Sequence, residues 1–214
     1  MSLLDRITPR RSEPVDAPLA KSGTGESVFA TKALRKFLSS LRLHSSPTLL
    51  DLGPVVGSNV TFFGEKFGCK IFVEDIFADL DRHVRENRLN QFSPFLQKRF
   101  PQADGSVAGI LCWDLIDYLD RPAAQMLADE LTRMLRPEGI LLGFFGTAPP
   151  RDTQYTKFII GDEVNLTHRP YAAARGRQAV LLNRDIIRMF HGLRVSDSFL
   201  LKANVREILF RKPA

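Results

Sequence analysis

Alternating apolar runs and helical patterns predict an α/β chain, a mostly parallel sheet held between two layers of helices. Three observations support this. The runs at residues 48–52, 70–74, 107–112 and 140–145 are apolar on consecutive positions, as strands buried on both faces are. Helical spacing follows the first three of these runs. The last two runs, 193–201 and 205–210, are separated only by Lys202-Ala203-Asn204, which predicts a closing hairpin and a last strand antiparallel to the rest. With a weak candidate at 95–98, the runs make a seven-stranded sheet.

The elements follow in order. Residues 1–27 read as a flexible arm, because Thr8-Pro9-Arg10-Arg11-Ser12-Glu13-Pro14 and Ser22-Gly23-Thr24-Gly25 are rich in breakers and lack periodicity. Residues 28–214 read as a single domain. From 28 to 41, Leu34, Phe37, Leu38 and Leu41 line one helix face and Lys32, Arg35, Lys36 and Arg42 the other. After the first strand, 59–67 is a helix with Ser58 as its expected cap and Gly68 as its stop. After the second, Phe77, Leu80, Val84 and Leu89 mark a helix to about residue 90. After 107–112, Asp120 caps a helix with Pro122 in its first turn and the stripe Ala124, Leu127, Ala128, Leu131, Met134, Leu135. Arg136-Pro137-Glu138-Gly139 turns into 140–145, and Asn183 caps a short helix before the hairpin.

Composition bounds the function. With 44% apolar and 25% charged residues over 214, the chain can bury a core and needs no staple. No apolar run approaches the roughly 20 residues of a membrane span, and Met1-Ser2-Leu3-Leu4-Asp5-Arg6 has no signal-peptide core. Cys69 and Cys112 fall in apolar runs, which suits a reducing cytoplasm and gives neither a disulfide framework nor a zinc site. The net charge of +6 is uneven, because residues 1–42 hold 8 basic and 4 acidic side chains. The remainder is nearly balanced, unlike most nucleic-acid binders. One basic cluster remains, Arg82, Arg85, Arg88, Lys98 and Arg99, for which a solvated helix face is the simpler reading.

Parallel sheets bind ligands at the carboxyl ends of their strands. After the first strand stand Asp51-Leu52-Gly53-Pro54-Val55-Val56-Gly57, a carboxylate followed by a glycine turn and a helix start. The second strand ends in Glu74-Asp75, the fourth in Cys112-Trp113-Asp114. An acid at the second position can accept from a ribose diol.

This ordered set resembles the class I S-adenosylmethionine-dependent methyltransferases over residues 34–212. Asp51, Gly53 and Gly57 match the family's first loop, and Glu74 or Asp75 its second-strand acid. Residues 104–114 look like its fourth-strand segment, and Leu135-Arg136-Pro137-Glu138-Gly139 like the approach to its fifth strand. The resemblance implies a three-layer Rossmann-like methyltransferase fold with S-adenosylmethionine as cofactor. It places the cofactor against Asp51, Gly53, Pro54, Val55, Gly57, Glu74, Asp75, Leu96, Cys112 and Trp113.

Three positions depart from the family pattern. Val55 stands where the middle glycine lets the backbone approach the cofactor, Leu96 where an adenine-binding acid is common, and Val107-Ala108 where Phe-Asp often opens the fourth strand. If the loop keeps the family's path, Val55 also resists a positive φ. Methyl transfer from a sulfonium needs little from side chains beyond positioning. His168, Tyr171 and Tyr155, in the long segment that often shapes the acceptor pocket, are the weak catalytic candidates. No metal is implied. The expected acceptor is a small molecule. A non-catalytic binding or assembly domain is the alternative, favoured by Val55 and Leu96. An RNA methyltransferase is weaker still, and the family's Asn/Asp-Pro-Pro-Tyr/Phe signature of base methylation is absent.

Overall fold

The computed structural model describes residues 25–149, 153–178, 180–201 and 203–214. The predicted arm lies outside these residues except for its last three. The elements are β1 (Ser27–Ala30), α1 (Ala33–Leu41), β2 (Thr48–Asp51), α2 (Gly57–Phe67), β3 (Lys70–Val73), α3 (Ile76–Arg85), α4 (Phe92–Arg99), β4 (Val107–Trp113) and α5 (Arg121–Met134). Then come β5 (Leu135–Gly146), β6 (Gln154–Ile160), β7 (Asn165–Ala172), α6 (Asn183–Met189), β8 (Arg194–Leu200) and β9 (Val205–Arg211). Short 3-10 turns at Leu89–Gln91 and Leu115–Tyr118 join α3 to α4 and β4 to α5.

The main sheet has the order β3-β2-β4-β5-β9-β8. Its first four strands are parallel, and β9 runs antiparallel between β5 and β8. The closing hairpin and the antiparallel last strand are therefore present. The sheet has six strands, not seven. The segment expected as the third strand lies in α4, because Phe92, Leu96 and Phe100 recur at helical spacing and all three are buried. Pro94 fits the first turn of that helix, where it removes no intrahelical bond.

Side-chain alternation along the strands divides the core in two. Leu50, Ile110, Cys112, Leu141 and Ile208 face α3, α4, α5 and α6. Leu49, Leu111, Trp113, Leu142 and Leu209 face α1 and α2. Gly109 lies under α1, where a Cβ would meet Leu41 Cδ2 at 2.7 Å, so the missing side chain lets helix and sheet approach. Gly68 takes φ +60 at the end of α2, as the sequence predicts for its stop. Asp120 caps α5 by accepting from Ala123 N at 3.0 Å. The expected caps Ser58 and Asn183 instead lie inside their helices, which begin one or two residues earlier than the spacing predicts.

A second, three-stranded antiparallel sheet, β1-β7-β6, was not legible in the sequence. The helix expected from residue 28 begins at Ala33; residues 27–30 pair with β7, and Phe29 stacks on His168. β6 and β7 occupy the long segment after β5. Phe158, Ile160 and Leu166 of this sheet join the α1/α2 side of the core. Asn59 of α2 is buried and stands in for a strand partner at the β6 edge. Its Nδ2 donates to Phe158 O and its Oδ1 accepts from Ile160 N, each at 2.8 Å. Among the described residues no helix is long and apolar enough to cross a membrane.

Candidate functional site

The carboxyl ends of β2, β3 and β4 bring Asp51, Glu74, Asp75, Trp113 and Asp114 to one end of the sheet, as parallel pairing in register requires. Asp51 is 5% exposed. Its Oδ1 accepts from Gly53 N at 2.9 Å and from Trp113 Nε1 at 2.6 Å. Burial pushes its carboxyl up to about 6 despite these two donors, and nearby Asp75 pushes the same way.

Trp113 has φ +52 and Asp75 φ +39, left-handed conformations that cost non-glycine residues of order 1–3 kcal/mol. Trp113 is held there by its bond to Asp51, by stacking on Phe158 at 5.0 Å and by the edge of Phe144. Asp75 is held as the cap of α3, its Oδ1 accepting from Ala78 N at 3.2 Å. These two strained residues lie at the ends of β4 and β3, the strands that flank β2.

The two acids at the end of β3 have different surroundings. Glu74 accepts from Arg99 Nη1 at 2.6 Å on Oε2 and from Gln102 Nε2 at 2.8 Å on Oε1, and its carbonyl accepts from Arg99 Nη2 at 2.8 Å. Arg99 also bonds Asp79. Both carboxylate oxygens of Glu74 are thus committed inside the chain. Among the described residues, the only hydrogen bond to the Asp75 carboxylate falls on Oδ1.

The glycine loop departs from the expected path. None of Gly53, Val55 and Gly57 has a positive φ. Val55 therefore carries no left-handed strain, and its side chain is 65% exposed. The expected strain is absent because Pro54 fixes its own φ and Val56 enters α2 from extended backbone at φ −124. Gly53 is the constrained position: a Cβ there would meet Trp113 Cδ1 at 2.9 Å. Nothing lies within 4 Å of the Gly57 Cβ position. Leu96 and Cys112 are wholly buried among the residues packed against α3 to α6, and burial pushes the Cys112 thiol up.

Beyond β4 lies a group centred on Arg177, a residue that sequence reasoning did not single out. Arg177 Nη2 bonds Asp114 Oδ2 at 2.8 Å, and Arg177 Nε lies 3.8 Å from Asp117 Oδ2. Asp117 Oδ2 accepts from Gly146 N at 2.7 Å. A Cβ at Gly146 would meet Arg177 Nη1 at 2.7 Å, so a side chain there would push the guanidinium aside. Tyr118 donates to Gln154 O at 2.8 Å and packs edge-on against Tyr155, which packs against Tyr171. Among the described residues, four polar atoms here are buried without a partner: Asp114 Oδ1, Asp117 Oδ1, Tyr155 Oη and Tyr171 Oη. Of the candidate catalytic residues, Tyr155 and Tyr171 belong to this cluster, their phenols pushed up by burial first. His168 lies between Phe29 and Phe158, pushed down to about 4 by burial and then by Arg177. Arg177 carried no signal, being one of several arginines in a segment without periodicity.

A family model described as a methyltransferase domain matches residues 27–175. The chain belongs to this methyltransferase family. The match covers most of the chain, and the mostly parallel sheet with its antiparallel end strands is that of the class I, S-adenosylmethionine-dependent methyltransferase fold. Among solved structures, the 1,6-didemethyltoxoflavin-N1-methyltransferase of Burkholderia thailandensis is similar at 16% identity and TM-score 0.50, covering 85% of this chain and 79% of that one. A S-adenosylmethionine-dependent methyltransferase of Clostridium acetobutylicum aligns at 12% identity and TM-score 0.51, covering 85% and 91%. The [4+2]-cyclase SpnF aligns equally well, at 12% identity and TM-score 0.51 over 85% and 80%. The fold of this methyltransferase-family chain therefore does not by itself fix the reaction. No curated protein matches the sequence.

Of the basic cluster, Arg82 pairs with Asp79, Arg85 with Asp81 and, just past α3, Arg88 with Glu86.

Proposed function

We propose that this methyltransferase-family protein binds S-adenosylmethionine at the ends of β2, β3 and β4 and transfers its methyl group to a small-molecule acceptor. The observation that carries this reading is the convergence of Asp51, Asp75 and Asp114 at three neighbouring strand ends, with backbone strain at Asp75 itself and at Trp113. The family match and the small-molecule enzyme among the similar structures support it.

The residues present fit such a cofactor at some positions and not at others. Among the described residues Asp114 Oδ1 is a buried acceptor without a donor, suited to a ligand bearing cations and N–H groups. Asp75 is the acid suited to the ribose diol, and Glu74 is not, because Arg99 and Gln102 occupy it. Asp51 orders the loop through Gly53 and Trp113. The open face of Gly57 leaves room at the start of α2. When bound, the cofactor supplies a methyl group activated by a cationic sulfur.

The chain's own contribution is positioning and exclusion of water, worth about 7–11 kcal/mol when two reactants are well oriented. Trp113, Phe144 and Phe158 form a dry wall beside the loop. Tyr155 and Tyr171, with raised phenols, act as hydrogen-bond donors and not as bases. Isothermal calorimetry with S-adenosylmethionine and S-adenosylhomocysteine tests the reading: saturable heat with both supports it.

A second reading is a binding or assembly module without catalysis. Trp113 favours it, because its indole lies directly over Gly53. Absence of heat with either ligand, in wild type and in Trp113→Ala alike, selects this reading.

A further inference from the structure

We propose that Arg99 is the positioning residue of the cofactor site: its guanidinium fixes the peptide unit between Glu74 and Asp75 and so sets the Asp75 carboxylate in the orientation that receives the ribose diol. The proposal rests on the cofactor reading of Asp75 given above.

The backbone at Asp75 is set by its two flanking peptide units. Each unit is planar, so φ and ψ of Asp75 alone decide how the second is turned against the first. The second is tied to the loop after β2, since Ile76 N donates to Leu52 O at 3.1 Å. The first is tied through its carbonyl, since Glu74 O accepts from Arg99 Nη2 at 2.8 Å. Just upstream, Glu74 N donates to Asp51 O at 2.8 Å. Between these anchors Asp75 takes φ +39 and ψ 58. A left-handed conformation of this kind persists where the surroundings impose it.

Arg99 is itself fixed before it reaches that carbonyl. It closes α4, a helix seated by the buried Phe92 and Leu96. Its Nε donates to Asp79 Oδ2 at 2.8 Å and its Nη1 to Glu74 Oε2 at 2.6 Å. The guanidinium is a rigid planar fork, so these two bonds aim Nη2 at the Glu74 carbonyl; an ammonium group has no such geometry. Gln102 holds the other Glu74 oxygen, which makes the Glu74 side chain part of the support. Asp75 is half-buried, so a ligand can reach it. Burial pushes the Asp75 carboxyl up, and Arg99 is among the groups acting in the other direction, toward the ionised form that accepts hydrogen bonds. An acceptor already held in its bound orientation loses less freedom on binding, which raises affinity.

The test is a calorimetric titration of the whole chain with S-adenosylhomocysteine in wild type, Arg99→Gln, Asp75→Ala and the double variant, with urea unfolding of each. Arg99→Gln is expected to weaken binding at least fivefold. It is expected to add less than twofold when Asp75 is already alanine, because its effect runs through that side chain. Its shift of the urea midpoint is expected to be the same in both backgrounds, so lost stability alone does not produce the affinity pattern. Arg99→Lys keeps the charge without the fork and is expected to weaken binding at least threefold. Unchanged affinity in Arg99→Gln, an equal fold loss in both backgrounds, or wild-type affinity in Arg99→Lys overturns the proposal. Arg99→Lys decides if Arg99→Gln fails to fold. Absence of binding by wild type overturns the proposal together with the cofactor reading, whereas equal binding by wild type and both Arg99 variants overturns the positioning role alone.

Discussion

The indole N–H of Trp113 donates to Oδ1 of Asp51 at 2.6 Å, and this one bond ties together the carboxyl ends of β2 and β4. It satisfies a buried carboxylate, holds a bulky residue at φ +52 and lays an aromatic ring over Gly53. Trp113→Phe keeps the stacking on Phe158 but removes the donor. The expected cost is about 1–3 kcal/mol, the scale for leaving a buried polar group short of a partner. Urea unfolding checks it, and an unchanged midpoint would show that the bond contributes nothing.

Gly53→Ala probes the same contact from the loop. The new Cβ would lie 2.9 Å from Trp113 Cδ1, too close to tolerate, so the indole must move. The chain has 1 Trp, so fluorescence reports this position alone. Wild-type emission is expected at short wavelength, and the variant's is expected to shift to the red. Identical spectra would mean that the ring does not cover the glycine.

The pH dependence of stability follows from Asp51. Its carboxyl lies near 6 in the fold against 3.8 unfolded, so the folded state holds a proton that the unfolded state releases. The burden of ionising Asp51 is absent below about 4, grows as pH rises to about 6 and stays constant above that, at about 2–3 kcal/mol. Asp51→Asn removes the titration. The stability difference between variant and wild type should therefore change between pH 4 and 6.5 and level off beyond. A difference flat across that range would contradict a raised Asp51.

Glu207 joins distant parts of the chain in a way no local pattern foretells. Its Oε2 accepts from Lys32 N and Ala33 N, both at 2.9 Å, and so caps α1 from β9. Lys32, at the cap position, offers no side-chain hydrogen bond of its own. Glu207→Ala should destabilise by about 1–3 kcal/mol and Glu207→Gln by less, since the amide oxygen can still accept. Thermal unfolding measures both, and equal melting points for the two variants would count against the cap.

What the sequence revealed and concealed has a physical pattern. β2, β3, β4, α5 and the closing hairpin were legible because continuous apolar runs and helical stripes report burial directly. Residues 95–98 were misread because a short segment of mixed aromatic and basic residues fits either period until Phe92, Leu96 and Phe100 are seen on one face. The second sheet was hidden because β1 and β7 alternate only weakly, and β6 is completed by a side chain, Asn59. Asp51, Glu74, Asp75 and Trp113 were singled out by their place after strands. Arg177 was not, since its role arises only when the chain returns to Asp114.

One calorimetric comparison tests whether Asp75 is the acid that holds the cofactor. S-Adenosylhomocysteine is titrated into wild type, Asp75→Ala and Glu74→Ala. Asp75→Ala should weaken binding by about 1–3 kcal/mol, tenfold or more, as expected for losing hydrogen bonds to a charged acceptor. Glu74→Ala should leave affinity within about twofold, because its oxygens serve Arg99 and Gln102. Wild-type affinity in Asp75→Ala, or a tenfold loss in Glu74→Ala alone, would contradict the account.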